Sequence, residues 1–225
     1  FADTLKMLEY WDEFVDIYNV SLALSPTLHY QLDTMDMEDG WRTHYARTVK
    51  EKFGKPCITM GNIRTPELAD KLVTEGTADF IGIGRGLIAD PQWVNKAYEG
   101  REAQIRKCIS CNIGCAGNRL ANNRMIRCTI NPDLIHDDDY KKLHVKRTVN
   151  VVVIGGGTAG LEAACSAAEV GCSVFLLEKG NELGGLAQKI STFPEKRRIR
   201  QFVDYQKCRA DALKNLYIFR NHPGD

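Results

Sequence analysis

One stretch of the chain, VNVVVIGGGTAGLEAACSAAEVGCSVFLLEKG (149–180), constrains the fold more than any other. It reads as an apolar strand, a glycine turn with the spacing G-x-G-x-x-G, an alanine-rich helix and a second strand that ends at Glu178. Gly155 permits a sharp turn, Gly157 lets a pyrophosphate approach the backbone, and Gly160 lets helix and strand pack closely. Glu178 stands where an acid accepts hydrogen bonds from a ribose. These features in this order predict a Rossmann-like dinucleotide-binding unit.

The first 107 residues alternate between strand and helix patterns. The predicted strands are 14–23, 55–60 and 78–84, and the predicted helices are 40–54, one from Thr65-Pro66 to Gly76, and one that begins at Asp90. Such alternation is typical of parallel strands with helices packed outside them, so the fold class is α/β.

The loops after the second and third strands, MGNIR (60–64) and GIGRG (82–86), combine glycines with cations. In TIM (β/α)8 barrels, the loops after the last two strands commonly bind phosphate. The three strands therefore resemble the C-terminal part of such a barrel. The alternative interpretation is that these glycines only serve tight turns.

Between the two patterned regions lies CISCNIGCAGNRLANNRMIRC (108–128), with the spacing C-x2-C-x3-C-x12-C. Eight cysteines in 225 residues is too low a density for a disulfide-stapled secreted domain, so metal binding in a reducing cytoplasm is favoured. Four thiolates suit either zinc or a [4Fe–4S] cluster. A compact triple with a distant fourth cysteine favours the cluster, with Gly114 and Gly117 leaving room against inorganic sulfide, but zinc stays open. The other cysteines are expected to be buried small hydrophobes; they are Cys57, Cys165, Cys172 and Cys208.

Charge excludes some classes of partner. Lys and Arg number 30 against 29 Asp and Glu, so the net charge of +1 gives no electrostatic case for nucleic acid or a membrane surface. The apolar runs are too short to span a bilayer. We expect a small-molecule substrate as the partner, with room for a homo-oligomer. The polar passage 131–148 is interpreted as a solvated linker rather than a docking surface.

The three motifs together resemble one family. GIGRGLIADP, then the four cysteines followed by NP, then VVVIGGGTAGLEAA, is similar to the NADH:flavin oxidoreductases related to old yellow enzyme, in the multidomain branch of 2,4-dienoyl-CoA reductase and trimethylamine dehydrogenase. The resemblance implies an FMN at the mouth of the barrel, a [4Fe–4S] cluster beside it and a following FAD-binding domain. It also implies that NAD(P)H is the electron donor.

Site residues follow from the resemblance by position. Gly61, Asn62, Gly84 and Arg85 match positions that hold the FMN phosphate, although dienoyl-CoA reductases usually have Arg where Asn62 stands. Cys108, Cys111, Cys115 and Cys128 match the cluster ligands. The positions that match contacts to the second dinucleotide are Gly155, Gly157, Ala159, Gly160, Glu178 and Lys196, with Leu186 replacing a Gln and contributing only backbone. The proton-donating tyrosine of the family belongs to an earlier barrel strand, so no catalytic residue is assigned here; His29 and Tyr30 border the expected mouth as exposed loop residues.

The implied activity is reduction of an activated C=C bond, of the enone or enoyl-CoA type, by electrons that pass from NAD(P)H through FAD and the cluster to FMN. Two alternatives remain: an amine dehydrogenase of the trimethylamine dehydrogenase type, and a non-catalytic fragment that serves electron transfer or is stabilised by zinc. The expected organisation is a barrel part (1–107), a cluster segment with linker (108–148) and the start of the FAD domain (149–225). Because the chain opens with Phe1 inside a helix pattern, we expect a fragment of a longer protein.

Overall fold

The structure is a computed structural model that describes residues 1–134 and 143–222. Within these residues the chain forms two parallel three-stranded sheets with helices packed against them. The strands are β1 (Tyr18–Val20), β2 (Cys57–Met60), β3 (Phe80–Gly82), β4 (Asn150–Ile154), β5 (Ser173–Glu178) and β6 (Leu216–Arg220). The α-helices are α1 (Ala2–Trp11), α2 (Leu28–Gln31), α3 (His44–Phe53), α4 (Pro66–Thr74), α5 (Arg85–Ala89), α6 (Trp93–Tyr98), α7 (Thr158–Glu169), α8 (Gly185–Ile190) and α9 (Arg198–Asp211).

The first sheet has the order β1-β2-β3, and all of its strands run parallel, as the alternation predicts. Their carboxyl ends therefore meet at one edge, which brings the loops after β2 and β3 together. The prediction of a strand over 14–23 was too long. A 3-10 turn at Asp12–Phe14 precedes β1, and Ala23 has a left-handed backbone with φ 99°, which an extended strand cannot accommodate.

The helices of the first half begin and end largely where their capping residues predict. Thr65 caps α4 by accepting a hydrogen bond from the Leu68 amide at 3.2 Å, and Pro66 occupies the first helical position. Helix α3 ends at Gly54, whose φ of 66° is left-handed.

Asp90 does not begin the next helix, contrary to the prediction. Helix α6 starts at Trp93, and α5, which was not predicted, occupies the turn before Asp90. The Asp90 carboxylate instead accepts hydrogen bonds from the amides of Gln92 at 3.0 Å and Arg106 at 2.9 Å. Asp90 therefore ties this turn to the strand-like segment that leads into the cysteines.

The second sheet has the order β4-β5-β6, again parallel, with α7 packed on one face. Leu161 of α7 and Val174 and Leu176 of β5 are fully buried in the core that results. Full burial of such side chains contributes about 1.5–3 kcal/mol each. The opposite face of β4 is open, with Val152 61% and Ile154 68% exposed.

The two halves meet around the cysteine segment. Ile199 and Phe202 of α9 pack against a small core that contains Ile109 and Ile130. Nearby, the Arg106 guanidinium lies 5.3 Å from the centre of the Tyr205 ring. Helix α9 therefore belongs to the second half by connection but covers the segment that carries the cysteines.

Residues 135–142 of the predicted linker lie outside the described residues, as do residues 223–225. Among the residues that the structure does describe, no helix combines the length and apolarity needed to cross a bilayer.

Candidate functional site

The loops after β2 and β3 line one cavity of about 450 Å³ at the carboxyl edge of the first sheet. Gly61 and Asn62 follow β2, Gly84 and Arg85 follow β3, and all four border this space, as does Cys108. The sequence prediction thus named residues that the fold brings together. Their role in holding a phosphate stays a prediction.

Cations dominate the wall of this cavity. Asp33 is 2% exposed and lies between two arginines, with its Oδ2 3.3 Å from Arg42 Nη2 and 3.0 Å from Arg85 Nη2. Trp41 Nε1 donates to the other carboxylate oxygen at 2.7 Å. Burial lowers the pKa of Arg42, while Asp33 opposes that effect. Arg64 also lines the cavity, so positive charge exceeds negative charge and an anionic group suits the site.

The two glycines of this cavity serve different purposes. A Cβ on Gly61 would lie 2.3 Å from Arg42 Nε, and its φ of 121° is left-handed. Gly61 therefore lets Arg42 pack against the loop. This is a structural role, in line with the alternative interpretation that the glycines of these loops serve tight turns. A Cβ on Gly84 would meet nothing within 4 Å, so Gly84 leaves open space where a ligand can approach the backbone.

Asn62 directs its side chain away from a simple phosphate-binding role. It is 7% exposed and has a φ of 48°. In the amide orientation that satisfies both of its polar atoms, its nitrogen donates to Ser110 Oγ at 2.8 Å, and its oxygen accepts from Arg198 Nη1 at 3.0 Å. Any contact of Asn62 with a phosphate would therefore involve its backbone.

Replacing Asp33 by asparagine is expected to lower the free energy of unfolding by about 3 kcal/mol, because the buried Arg42 and the partly buried Arg85 lose their counter-charge. Urea denaturation followed by tryptophan fluorescence measures the change, since Trp41 is a direct partner. Asp36→Asn is the matched control on the same segment, where the side chain is exposed and little change is expected. Equal stability of the two variants would contradict this account of Asp33.

The four cysteines of the central segment line a second, small cavity, which Arg85 and Ile88 of α5 also border. Burial raises the pKa of Cys108 and of Cys128, and the neighbouring cysteines add to both effects. The eight cysteines, all of which lie in the described residues, form no disulfide bonds. Within the described ranges, no three His, Cys, Asp or Glu side chains already form a group that could hold a metal ion.

The glycines of this segment permit close backbone contacts. A Cβ on Gly114 would lie 2.6 Å from the Arg127 carbonyl oxygen, and one on Gly117 would lie 3.0 Å from the Asn112 carbonyl oxygen. The Arg127 amide donates to the Gly114 carbonyl at 2.7 Å. Both glycines thus allow close backbone contacts inside the segment, and the room that they leave for inorganic sulfide stays a prediction. These contacts bring Cys128 back to the first three cysteines.

The glycine turn after β4 has the geometry that its spacing predicts. Gly155 has a φ of 97°, and a Cβ on Gly160 would lie 1.8 Å from the Gly155 carbonyl oxygen. A Cβ on Gly157 would meet nothing within 4 Å. Gly155 thus turns the chain, Gly160 permits the close packing and Gly157 faces open space.

Glu178 and the second glycine pair complete this turn. Glu178 Oε2 accepts from the Gly156 amide at 2.6 Å, and Oε1 accepts from the Gly180 amide at 2.7 Å. The Gly184 amide donates to the Gly156 carbonyl at 2.7 Å. The end of β5 and the start of α8 are therefore held against the first glycine turn.

The other residues that were predicted to contact the second dinucleotide are Ala159, Leu186 and Lys196. Ala159 is exposed in the first turn of α7, and Leu186 is 70% exposed at the start of α8. Lys196 lies in a 3-10 turn, Pro194–Lys196. The pKa of Asp36 is lowered mainly by a hydrogen bond from Thr34, with a further contribution from the charge of Lys196. Lys196 therefore lies toward the first half of the chain.

Sequence reasoning missed the buried polar residues that connect these sites. They are Asp33, Arg42, Arg64, Ser110 and Arg198. Arg198 stands in the basic run EKRRIRQ, which looks like a solvated helix face. Its 2% exposure follows from tertiary packing alone, and no sequence pattern identifies it.

Two family models match separate parts of the chain. Residues 9–104 match the NADH:flavin oxidoreductase / NADH oxidase family, and residues 150–195 match the FAD dependent oxidoreductases. NADH oxidase of Thermoanaerobacter brockii is 45% identical over 203 residues, which cover 89% of this chain and 31% of that protein. Cinnamate reductase of Clostridium sporogenes is 34% identical over 170 residues, which cover 76% of this chain and 25% of that protein.

A solved structure has the same fold as this chain. The 6-hydroxypseudooxynicotine amine oxidase from Pseudomonas geniculata N1 superposes with a TM-score of 0.89 at 27% identity. The match covers 98% of this chain and 33% of that one. The chain thus spans between a quarter and a third of the length of these relatives.

Proposed function

Because the chain belongs to the NADH:flavin oxidoreductase / NADH oxidase family, we propose that it is part of an NAD(P)H-dependent flavoenzyme that reduces an activated C=C bond of the enone or enoyl-CoA type. FMN, a [4Fe–4S] cluster and FAD are the proposed cofactors. One observation carries the proposal: four cysteines line one cavity, and in the chain they stand between the loops of a cation-rich cavity and a dinucleotide-type glycine turn.

The residues of the first cavity fit an FMN phosphate. Gly84 leaves the backbone open to approach, and Arg85 supplies positive charge. Gly61 and Asn62 shape the wall by accommodating Arg42 and by anchoring the loop to Ser110. The proposed barrel part comprises residues 1–107, of which the three parallel strands form one open sheet in this chain.

The residues of the cysteine cavity fit a [4Fe–4S] cluster, and those of the glycine turn after β4 fit an FAD. Cys108, Cys111, Cys115 and Cys128 supply four sulfur donors around one cavity, which is the donor set of a [4Fe–4S] cluster. Gly157 faces open space at the start of α7, where a pyrophosphate can approach the backbone. Glu178 would accept hydrogen bonds from a ribose; Ala159, Leu186 and Lys196 are proposed as further contacts along the FAD.

When bound, flavins exchange electrons singly or in pairs and an iron–sulfur cluster exchanges them singly, so a cluster with a flavin on each side can link a hydride donor to a hydride acceptor. The chain contributes the cavities, the four thiolates and the charges around them. We propose segment boundaries of 1–107, 108–148 and 149–225 for these parts. A reducing cytoplasm is the proposed compartment, which suits eight cysteines that form no disulfide.

The direction of the reaction is proposed from the relatives. Identity is 45% and 34% to proteins named as an NADH oxidase and a cinnamate reductase, against 27% to an amine oxidase. Cinnamate carries a conjugated C=C bond, so this ranking supports reduction. An amine dehydrogenase is the second candidate, supported by the 27% identity to the amine oxidase over 98% of this chain.

An anaerobic assay of the full gene product with NADH or NADPH separates the candidates. We expect oxidation of the nicotinamide when enones, enoyl thioesters or aryl acrylates are added, and none with the 225 residues alone. Reduction of an electron acceptor by methylated amines, with no oxidation of NAD(P)H, would replace the proposal by the amine dehydrogenase. Turnover by the 225 residues alone would contradict the proposed dependence on a longer protein.

A further inference from the structure

A buried chain of hydrogen bonds joins the second half of the protein to the cysteine segment and to the loop after β2. Arg198, the first residue of α9, is 2% exposed, and its Nη1 donates to Ser110 Oγ at 2.8 Å. Ser110, also 2% exposed, lies 2.8 Å from the side-chain amide of Asn62. One arginine therefore anchors a residue that stands between Cys108 and Cys111.

Ser110 is held in an unusual backbone conformation that points its amide at a thiol. Its φ is 53°, a left-handed value that is rare for residues other than glycine, asparagine and aspartate. In this conformation its amide donates to Cys108 Sγ at 3.3 Å. The bonds from Arg198 and Asn62 to the Ser110 side chain oppose relaxation to a negative φ, so they also maintain this N–H···S contact.

Positive charge accumulates beside the same cysteine. Arg64 Nη1 donates to the Cys108 carbonyl at 3.0 Å, and Arg198 Nη2 lies 2.8 Å from Asp39 Oδ1. Asp39 also binds Arg64, at 2.7 Å, so one carboxylate serves two buried guanidinium groups. Burial lowers the pKa of Arg198 to about 10, and repulsion from Arg64 adds to this, yet the group stays charged at neutral pH.

We propose that Arg198 is a positioning residue which, through Ser110 and by its own charge, raises the reduction potential of the cluster held by Cys108. The inference rests on the proposed function and assigns a role to two residues outside the ligand set. One-electron reduction adds one negative charge to the cluster with its thiolates and moves no proton. A fixed cation and an N–H···S bond both stabilise that more negative state.

The test is a redox titration of the full gene product, followed by the electron paramagnetic resonance signal of the reduced cluster, with dithionite as reductant. For Arg198→Met we expect the reduced-to-oxidised ratio at a fixed potential to fall about tenfold, which is 59 mV for a one-electron couple. Arg198→Lys keeps the charge and should recover part of the loss. Ser110→Ala lacks the hydroxyl and disfavours the left-handed backbone, so the N–H···S contact should weaken and the potential should shift in the same direction.

Arg200→Met is the matched control, because Arg200 is an exposed arginine of the same helix and pairs with Asp204 at 3.0 Å. Its potential should equal that of the unsubstituted protein. If Arg198→Met fails to retain iron, the potential of Ser110→Ala is the deciding measurement. Unchanged potentials in iron-loaded Ser110→Ala and, where it retains iron, Arg198→Met would overturn the inference while leaving the proposed function intact. Absence of a cluster from the unsubstituted protein would overturn both.

Discussion

Replacing Gly157 by alanine is expected to leave the chain folded but to weaken FAD binding by at least about tenfold, or 1.4 kcal/mol. The added Cβ meets nothing within 4 Å in the protein, and the φ of −73° suits alanine. The methyl group would instead occupy the space into which a pyrophosphate approaches the backbone. Flavin content after purification and titration of the deflavinated full gene product measure the effect.

Gly160→Ala is the matched comparison three residues further on, and we expect the opposite pattern. Its Cβ would lie 1.8 Å from the Gly155 carbonyl oxygen, which is backbone and cannot move aside cheaply. The free energy of unfolding of the second half should fall by about 3 kcal/mol. Retention of full flavin affinity by Gly157→Ala, or an unaltered melting temperature for Gly160→Ala, would contradict the assigned roles of these glycines.

Replacing Cys128 by serine is expected to reduce the iron content of anaerobically purified protein from about four atoms per chain to less than one. Cys128 is the distant member of the set, and it reaches the shared cavity through the backbone contact between Arg127 and Gly114. Without its sulfur, one iron of a cubane lacks a protein ligand. Iron and acid-labile sulfide analysis measures the loss, and the visible absorption of the cluster should fall with it.

Cys208→Ser provides the control for this prediction. Cys208 is a partly buried free thiol on α9 that lines a different cavity, beside Tyr205 and Arg209. Its replacement should leave iron and sulfide unchanged. Equal iron in the Cys128 and Cys208 variants would show that Cys128 is no ligand.

Local patterns predicted the parts of the molecule that depend on neighbours in sequence. The glycine turn at Gly155–Gly160 follows from backbone sterics that act within a few residues, and the predicted roles match the contacts found there. The loops of Gly61 and Gly84 met at one edge because parallel strands place their carboxyl ends together. The spacing of the four cysteines indicated a shared site, although the contact between Arg127 and Gly114 that brings Cys128 to it is not visible in the sequence.

Tertiary packing determines the roles of several residues that the sequence patterns misassign or do not identify. Asp90 reads as a helix cap, yet its carboxylate is used by the Arg106 amide from a later segment. Gly61 reads as part of a phosphate loop, yet its missing side chain admits Arg42 from a helix start nearly 20 residues earlier. No sequence pattern identifies the roles of Ser110 and Arg198. Their contacts form only where the loop after β2, the cysteine segment and α9 meet.

The most direct test of the central claim, that the cysteine segment holds an iron–sulfur cluster between two flavin sites, is metal analysis of the anaerobically purified full gene product. We expect about four iron and four acid-labile sulfide atoms per chain, with broad brown absorption beneath the flavin bands. About one zinc per chain, with no iron and no sulfide, would contradict it and assign the four cysteines to a structural metal site.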